Sequence, residues 1–304
     1  MSDPLGEIVS LLRPRITFTK IASGAGPWRL RKESDGHLFY CAVVTGGCRL
    51  QVDGHEALTL GLNDFVLMPA AENFTMNSLH PGVEDMKLSE PNRLANGEYW
   101  LGTSGQSANV RTLVGQCTFA SPDAALLLSL MPDVVHVKGE QRLATLVALL
   151  GEEARAGKPA QNVVLAHLLE VMLIEAFRSS AEIGVSPGLL RGLTDERLAI
   201  AIRRMHQSPG RNWTINELAR EAGLSRSSFF AQFSRAVGVS PMAYLLHWRM
   251  ALAREHLRRG DSTVAEVAVR VGYRSASSFS VAFARHVGMP PAHYARQVVN
   301  DFVV

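Results

Sequence analysis

The sequence predicts an α+β chain in which a small N-terminal β-barrel followed by helices precedes an all-α C-terminal domain, built from two related helical units joined by a long helix. Three observations carry this. Short β-rich runs separated by turn residues fill positions 37–76, a helix that is apolar nearly all round covers Asn162 to Ala181, and an internal repeat at an offset of 49 to 50 residues occupies the last third. A length of 304 residues suits two domains, and a 47% hydrophobic content against 19% charged lets each bury a core, which excludes wholesale disorder. No run approaches about 18 uninterrupted apolar residues, and the first fifteen positions lack an export pattern. The expected setting is the cytoplasm, with no membrane partner.

In chain order, Leu38 to Val44 is a β-rich run ending in the turn Thr45-Gly46-Gly47. Arg49 to Val52 is a short alternating strand, Asp53-Gly54 a hairpin signal, and Phe65 to Met68 a strand stopped by Pro69. Strands at this spacing favour a small barrel or jelly roll. The segment Leu60-Gly-Leu-Asn63-Asp64-Phe-Val-Leu-Met-Pro69 resembles the cupin domain, over about Leu5 to Val137. Metal-binding cupins cluster histidines and a carboxylate on neighbouring strands. Here His37, His55 and Glu56 are the nearest ligands, and Phe74 stands where a histidine is expected, so neither a metal nor another cofactor is expected. The resemblance instead implies a pocket for a small-molecule effector, with Trp28, His37, Phe39, Tyr40 and Trp100 as candidate lining; plain core is the other reading of these aromatics. Cys41, Cys48 and Cys117 lack CxxC spacing and are too few for a disulfide scaffold.

Helices are predicted near Asp123 to Leu130, Glu140 to Ala156 and Asn162 to Ala181. The last carries Val163, Val164, Leu165, Leu168, Leu169, Val171, Met172, Leu173, Ile174, Ala176 and Phe177, leaving almost no polar face. Such a helix needs cover on two sides, which favours a homodimer; burial within one chain is the alternative. Ser186-Pro187-Gly188 marks a linker. The expected boundaries are an effector domain at 1–137, a helical dimerisation segment at 138–183, a linker at 184–194 and a final domain at 195–297.

Net charge is +3 overall, but this is a cancellation. From Leu193 to Val304 fifteen Arg face eight acidic residues, a net of +7, whereas positions 1–192 hold sixteen basic and twenty acidic residues, a net of −4. A basic module of this kind suits a polyanion. Within it, Thr214-Ile-Asn-Glu217-Leu-Ala-Arg-Glu-Ala-Gly223 aligns with Thr263-Val-Ala-Glu266-Val-Ala-Val-Arg-Val-Gly272. Phe229, Phe233, Gly238, Pro241 and Tyr244 match Phe279, Phe283, Gly288, Pro291 and Tyr294. Each copy opens on an S/T-x-x-E capping box, continues as a short amphipathic helix, turns at a glycine and enters a second helix whose phenylalanines, four residues apart, face the core. Ser240-Pro241 starts a linking helix that runs to about Arg258 and ends at Gly260.

The Ala-x-x-x-Gly-Leu-Ser turn, Phe233 to Tyr244, Trp248-Arg249-Met-Ala-Leu and Val267 to Ser275 closely resemble the C-terminal domain of the AraC/XylS family of bacterial transcription regulators, over about Asp195 to Gln297. The resemblance implies two helix-turn-helix motifs, at about 214–236 and 263–286, that bind double-stranded promoter DNA, with RNA polymerase as a further partner. With the phenylalanines inward, the base-contact candidates are Arg226, Ser227, Phe230, Ala231 and Ser234 on the first recognition helix and Ser275, Ala276, Ser277, Ser280 and Val281 on the second. Arg235, Arg249, Arg270, Arg274 and Arg285 are phosphate candidates, or else partners of Glu217, Glu221 and Glu266. The leading expectation is a ligand-responsive regulator rather than an enzyme. One alternative makes a cysteine the input, through oxidation or electrophile modification. The other is a metal-dependent cupin enzyme with an accessory DNA-binding domain.

Overall fold

A computed structural model describes residues 3–33, 37–69, 73–95, 97–119, 124, 128, 131–181 and 188–300. The helix expected at 123–130 lies outside the described residues apart from two positions. The chain divides into two compact units, one of residues 12–186 and the other of residues 1–11 with 187–304.

The first unit holds eleven described strands: β1 (Pro14–Ala25), β2 (Arg29–Lys32), β3 (Leu38–Thr45), β4 (Cys48–Val52), β5 (Leu58–Leu60), β6 (Phe65–Met68), β7 (Phe74–Ser78), β8 (Asn92–Arg93), β9 (Tyr99–Gly102), β10 (Val110–Phe119) and β11 (Val135–Val137). They form a seven-stranded sheet in the order β11-β6-β3-β10-β1-β9-β8 and a four-stranded sheet in the order β2-β7-β4-β5. Alternation decides which side chains meet: Phe39, Cys41 and Val43 from one sheet and Leu50, Val52, Phe74 and Met76 from the other share one buried apolar core. The Leu60 to Pro69 motif works as a turn. Asn63 takes φ +62, which Asn tolerates, and the buried Asp64 carboxylate accepts from the Gly61 and Gly139 backbone N–H groups at 2.9 Å each, with His136 Nε2 at 3.2 Å.

Two helices follow in the same unit, α2 (Gln141–Ala156) and α3 (Gln161–Ala181). On α3, Leu165, Leu169, Met172, Leu173, Ala176 and Phe177 are buried, whereas Val163, Val164 and Val171 are exposed. Its own unit therefore covers one side of this apolar helix and leaves the other in water.

The second unit is all helical: α1 (Pro4–Leu12, of which residues 4–11 belong here), α4 (Leu189–Thr194), α5 (Glu196–Gln207), α6 (Ile215–Glu221), α7 (Arg226–Val237), α8 (Pro241–Arg259), α9 (Val264–Arg270), α10 (Ala276–Val287) and α11 (Pro291–Asn300). Residues 189–194, expected as linker, instead form α4, because Leu189 and Leu190 find apolar cover and both are buried. The two capping boxes form as the S/T-x-x-E spacing dictates: Thr214 accepts from Glu217 N–H and Thr263 from Glu266 N–H, and each glutamate side chain returns the bond to the cap N–H. The Thr214 hydroxyl and backbone N–H, both donating to Glu217, with the Arg211 bond, hold that carboxyl below the usual range, and the Thr263 N–H and hydroxyl do the same at Glu266. Helix α8 runs nineteen residues, from the Ser240 cap to Gly260 at φ +70.

The repeat extends to the cores. Phe229 and Phe233 lie 5.5 Å apart with Tyr244 edge-on to Phe233 at 5.8 Å; Phe279 and Phe283 lie 5.4 Å apart with Tyr294 edge-on to Phe283 at 5.6 Å. All four phenylalanines are fully buried, so none is available to stack on a base.

Candidate nucleic-acid interface and effector site

Helices α7 and α10, the expected recognition helices, are capped by Ser225 and Ser275, whose hydroxyls accept from the N–H of Ser228 and Ser278 at 3.2 and 3.1 Å. Burying the phenylalanines turns Arg226, Ser227, Phe230 and Ala231 outward on α7, and Ser277 and Val281 outward on α10, with Ala276 half-buried beside them. Val281 is 71% exposed. Three candidates are placed differently from expectation. The Ser234 hydroxyl is enclosed, Ser275 spends its hydroxyl on the cap and on Ser277 and Ser278, and Ser280 donates back to the Ala276 carbonyl at 2.7 Å. Short hydroxyls on a helix bond to nearby backbone before they reach outward.

The arginines also separate. Arg235, Arg270, Arg274 and Arg285 are exposed; of the carboxylates that competed for them, Glu217 pairs with Arg211 at 3.0 Å and Glu221 with Arg204 at 2.9 Å, while Glu266, bonded to its Thr263 cap, lies close enough to Arg270 to be stabilised by its charge. Arg249 is placed differently: its Nε donates to the Pro209 carbonyl and its Nη2 to the Arg211 carbonyl, both at 2.7 Å, so two of its nitrogens serve the protein backbone, and burial lowers its pKa.

Sequence reasoning missed a buried polar chain in this unit. His206 of α5 is enclosed, stacked on Trp248 at 4.0 Å between centroids. Its Nδ1 lies 2.7 Å from Glu7 Oε2 of α1 and its Nε2 lies 2.7 Å from Tyr244 Oη. The neutral ring satisfies both, donating to the carboxylate and accepting from the phenol. Burial lowers the His206 pKa, against the pull of Glu7.

In the sheet unit, cross-strand register sorts the pocket candidates. Phe39 is on the inner face with Gln116, while Tyr40, its neighbour, faces the other way and lies across Gly115, bonded to the Thr19 hydroxyl. Trp100 likewise sits opposite Leu101, which is in the inner core, so Tyr40 and Trp100 do not share a pocket with Phe39. Trp28 is in the inner core. The inner face carries polar residues that the sequence did not single out. Lys20 Nζ lies 4.4 and 4.5 Å from the Phe18 and Tyr99 ring centroids, and Lys32 Nζ lies 5.0 Å from Phe18 and donates to Gln116 Oε1 at 3.0 Å. Gln116 Nε2 donates in turn to His37 Nδ1 at 3.0 Å. His55 and Glu56 are exposed, and among the described residues no group of three or more His, Cys, Asp or Glu is placed to hold a metal ion.

All three cysteines are buried, and burial raises their thiol pKa values, that of Cys48 to about 12. A thiol so placed has almost no thiolate at neutral pH, which argues against a cysteine input.

Comparison with known proteins agrees with this geometry. The cupin family profile matches residues 3–182 and a helix-turn-helix domain profile matches residues 218–297. An AraC-like transcription regulator of Streptomyces lividans is 33% identical over 301 residues, covering 97% of this chain and 98% of its own length. The chain belongs to the AraC-like transcription regulators. A second such regulator, from Streptomyces antibioticus, is 34% identical over the same span. More distant is an RCS-specific HTH-type transcriptional activator of Escherichia coli, 27% identical over 304 residues. This AraC-like regulator thus joins a cupin domain to a helix-turn-helix DNA-binding domain, and no described helix is long and apolar enough to cross a membrane.

Proposed function

We propose that this regulator seats its two helix-turn-helix units in two successive major grooves of promoter DNA, and that an effector held between the sheets of the N-terminal domain changes that engagement. The duplication carries the reading: two units with the same cap, turn and aromatic core each present an uncovered helix face in a domain with an excess of arginine. Helix α8, nineteen residues long, spans about 28 Å at 1.5 Å per residue, close to the ~34 Å turn of DNA. Arg226, Ser227, Phe230 and Ala231 would meet base edges in one groove and Ala276, Ser277 and Val281 in the next. Arg235, Arg270, Arg274 and Arg285 would hold phosphates.

For the effector, the polar end of the inner face, with Phe18, Lys20, Lys32, His37, Phe39 and Gln116, offers aromatic area beside two ammonium groups, which favours an acidic ligand. Strand β1, which carries Phe18 and Lys20, follows α1 after one residue, and α1 is bonded to the DNA-binding unit through Glu7. An effector that shifts β1 therefore acts on chain directly joined to that unit. The role is regulatory and not catalytic, exercised in the cytoplasm, with RNA polymerase as a further partner.

The uncovered side of α3, with Val163, Val164 and Val171, supports homodimerisation. Sedimentation of the Val164→Asp variant as a monomer beside a dimeric wild type is the expected outcome, and equal masses would remove the dimer.

The DNA reading is tested by capturing genomic fragments on the full-length protein and sequencing them. Enriched sites should carry two motifs about one turn apart, with affinity falling steeply as salt rises. Binding indifferent to salt would refute it.

A further inference from the structure

Arg249 joins the two helix-turn-helix units, and we infer that it sets the spacing between half-sites that this regulator accepts; the inference rests on the two-groove reading above. The side chain leaves α8 and reaches the loop between α5 and α6, where it donates to the carbonyls of Pro209 and Arg211. That loop is part of the first unit in a mechanical sense. The Trp213 indole N–H donates to the Ser208 carbonyl, Arg211 lies over the Trp213 ring at 4.0 Å, and the Arg211 guanidinium pairs with Glu217, the carboxylate of the first capping box. A pull on the loop is a pull on the start of α6.

The same loop touches the turn of the second unit with no side chain between them. A Cβ added at Gly210 would fall 2.8 Å from the Arg270 carbonyl oxygen, and one added at Gly272 would fall 2.8 Å from the Gly210 carbonyl oxygen and 2.7 Å from Arg249 Nη2. Gly272 also takes φ +88, where other residues are strained. Backbone thus meets backbone at Gly210 and Gly272, and Arg249 holds the contact closed from the linking helix. Two units joined only by a helix could twist about it; pinned at this second point, they keep one relative rotation. Arg249 is therefore a positioning residue. It acts on DNA through the angle between α7 and α10 and touches no base.

A change of one base pair in half-site spacing rotates one groove by about 34° against the other, at about 10.5 base pairs per turn. A rigid pair of readers loses simultaneous engagement under that rotation, and with it an avidity on the order of 10²-fold. A pair free to twist loses far less.

The test selects a randomised 40-base-pair duplex pool on full-length wild type, Arg249→Gln and Arg249→Lys, sequences the bound DNA, and measures affinity for the best site and its one-base-pair insertion and deletion. Wild type should return two motifs at one spacing and lose about 10²-fold on insertion. Arg249→Gln should return the same motifs over a spread of spacings and lose less than about tenfold on insertion, with Arg249→Lys, which keeps the charge on one donating nitrogen but not the two-pronged fork, in between. Thermal melting shows that each variant is folded, and the lysine variant decides should the glutamine variant not be. Spacing profiles as sharp as that of wild type in a folded variant would overturn the role of Arg249. A wild type that selects one motif without a phased partner would overturn the two-groove reading itself.

Discussion

The buried contact between His206 and Tyr244 gives a prediction whose size follows from the structure. Tyr244→Phe removes one hydroxyl and nothing else: the ring stays fully buried, edge-on to Phe233 at 5.8 Å, and no cavity larger than an oxygen is left. What changes is His206. Its Nε2, 2.7 Å from the lost oxygen, is enclosed and keeps a lone pair with no donor. Stranding a buried acceptor costs about 1–3 kcal/mol. For a unit of this size, at about 4 °C per kcal/mol, that corresponds to a fall of about 4–12 °C in melting temperature. The assay is calorimetry of the full-length protein at pH 7.5, where His206 is neutral because burial lowers its pKa, following the transition that DNA stabilises. A shift of less than about 1 °C would refute the reasoning, since it would mean that Nε2 takes a donor from elsewhere or that the phenol was never its partner.

Other expectations can be checked alongside. Phe279→Ala should destabilise the DNA-binding unit by about 3–5 kcal/mol, whereas Arg226→Ala should leave its melting unchanged and weaken specific DNA binding by about 1–3 kcal/mol; equal behaviour would erase the division of core from contact. On acidification, the DNA-binding unit should lose stability. Burial lowers the folded-state pKa values of His206, His247, His256 and His286, so the unfolded chain binds more protons, and stability present above the ordinary histidine value near 6.5 drains away as pH falls below it. Glu7→Gln removes the carboxylate that pulls the His206 value back up, so this variant should lose more between pH 7 and 5 in denaturant titrations. The native protein should resist thiol reagents at neutral pH and react at all three cysteines on unfolding; rapid native labelling would contradict their burial.

What could be read from the sequence was local and repeated. The capping boxes, the glycine turns and the Phe229/Phe233 spacing are short-range rules, and meeting each twice doubled the signal. Strand β6 was legible for the same reason, bounded as it is by Asn63-Asp64 and Pro69. The long strand β1 was not, because Lys20 falls where the Ile16/Phe18 alternation calls for an apolar residue, and only its pairing with β10 shows that Phe18 and Lys20 face inward. Tyr40 and Phe39 could not be assigned to faces before the register was known. Glu7 and His206 lie 199 positions apart, and a capping hydroxyl such as Ser275 looks like any outward serine until its partners are seen. Arg249 illustrates the limit of charge as a guide: composition identifies a cation, but only the fold shows two carbonyls waiting for it.

The chemistry of the two recognition faces explains why spacing should matter to this protein. Direct readout rewards Arg, Lys, Asn and Gln, each good bidentate pair discriminating by about 1–3 kcal/mol. Near the turn, the exposed residues of α7 contain Arg226 alone of these, Arg235 lying in the last turn of the helix, and on α10 the outward residues near the turn are Ser277 and Val281 with Ala276. Each half-site is therefore read weakly by hydrogen bonds, mostly through shape and thymine-methyl contact. Two weak readers become selective when both must seat at once, because a site with the right motifs in the wrong phase then forfeits one of the two. Discrimination that the side chains of α7 and α10 do not supply is recovered from the fixed rotation between them, and the backbone contact at Gly210 and Gly272, closed by Arg249, is where that rotation is held.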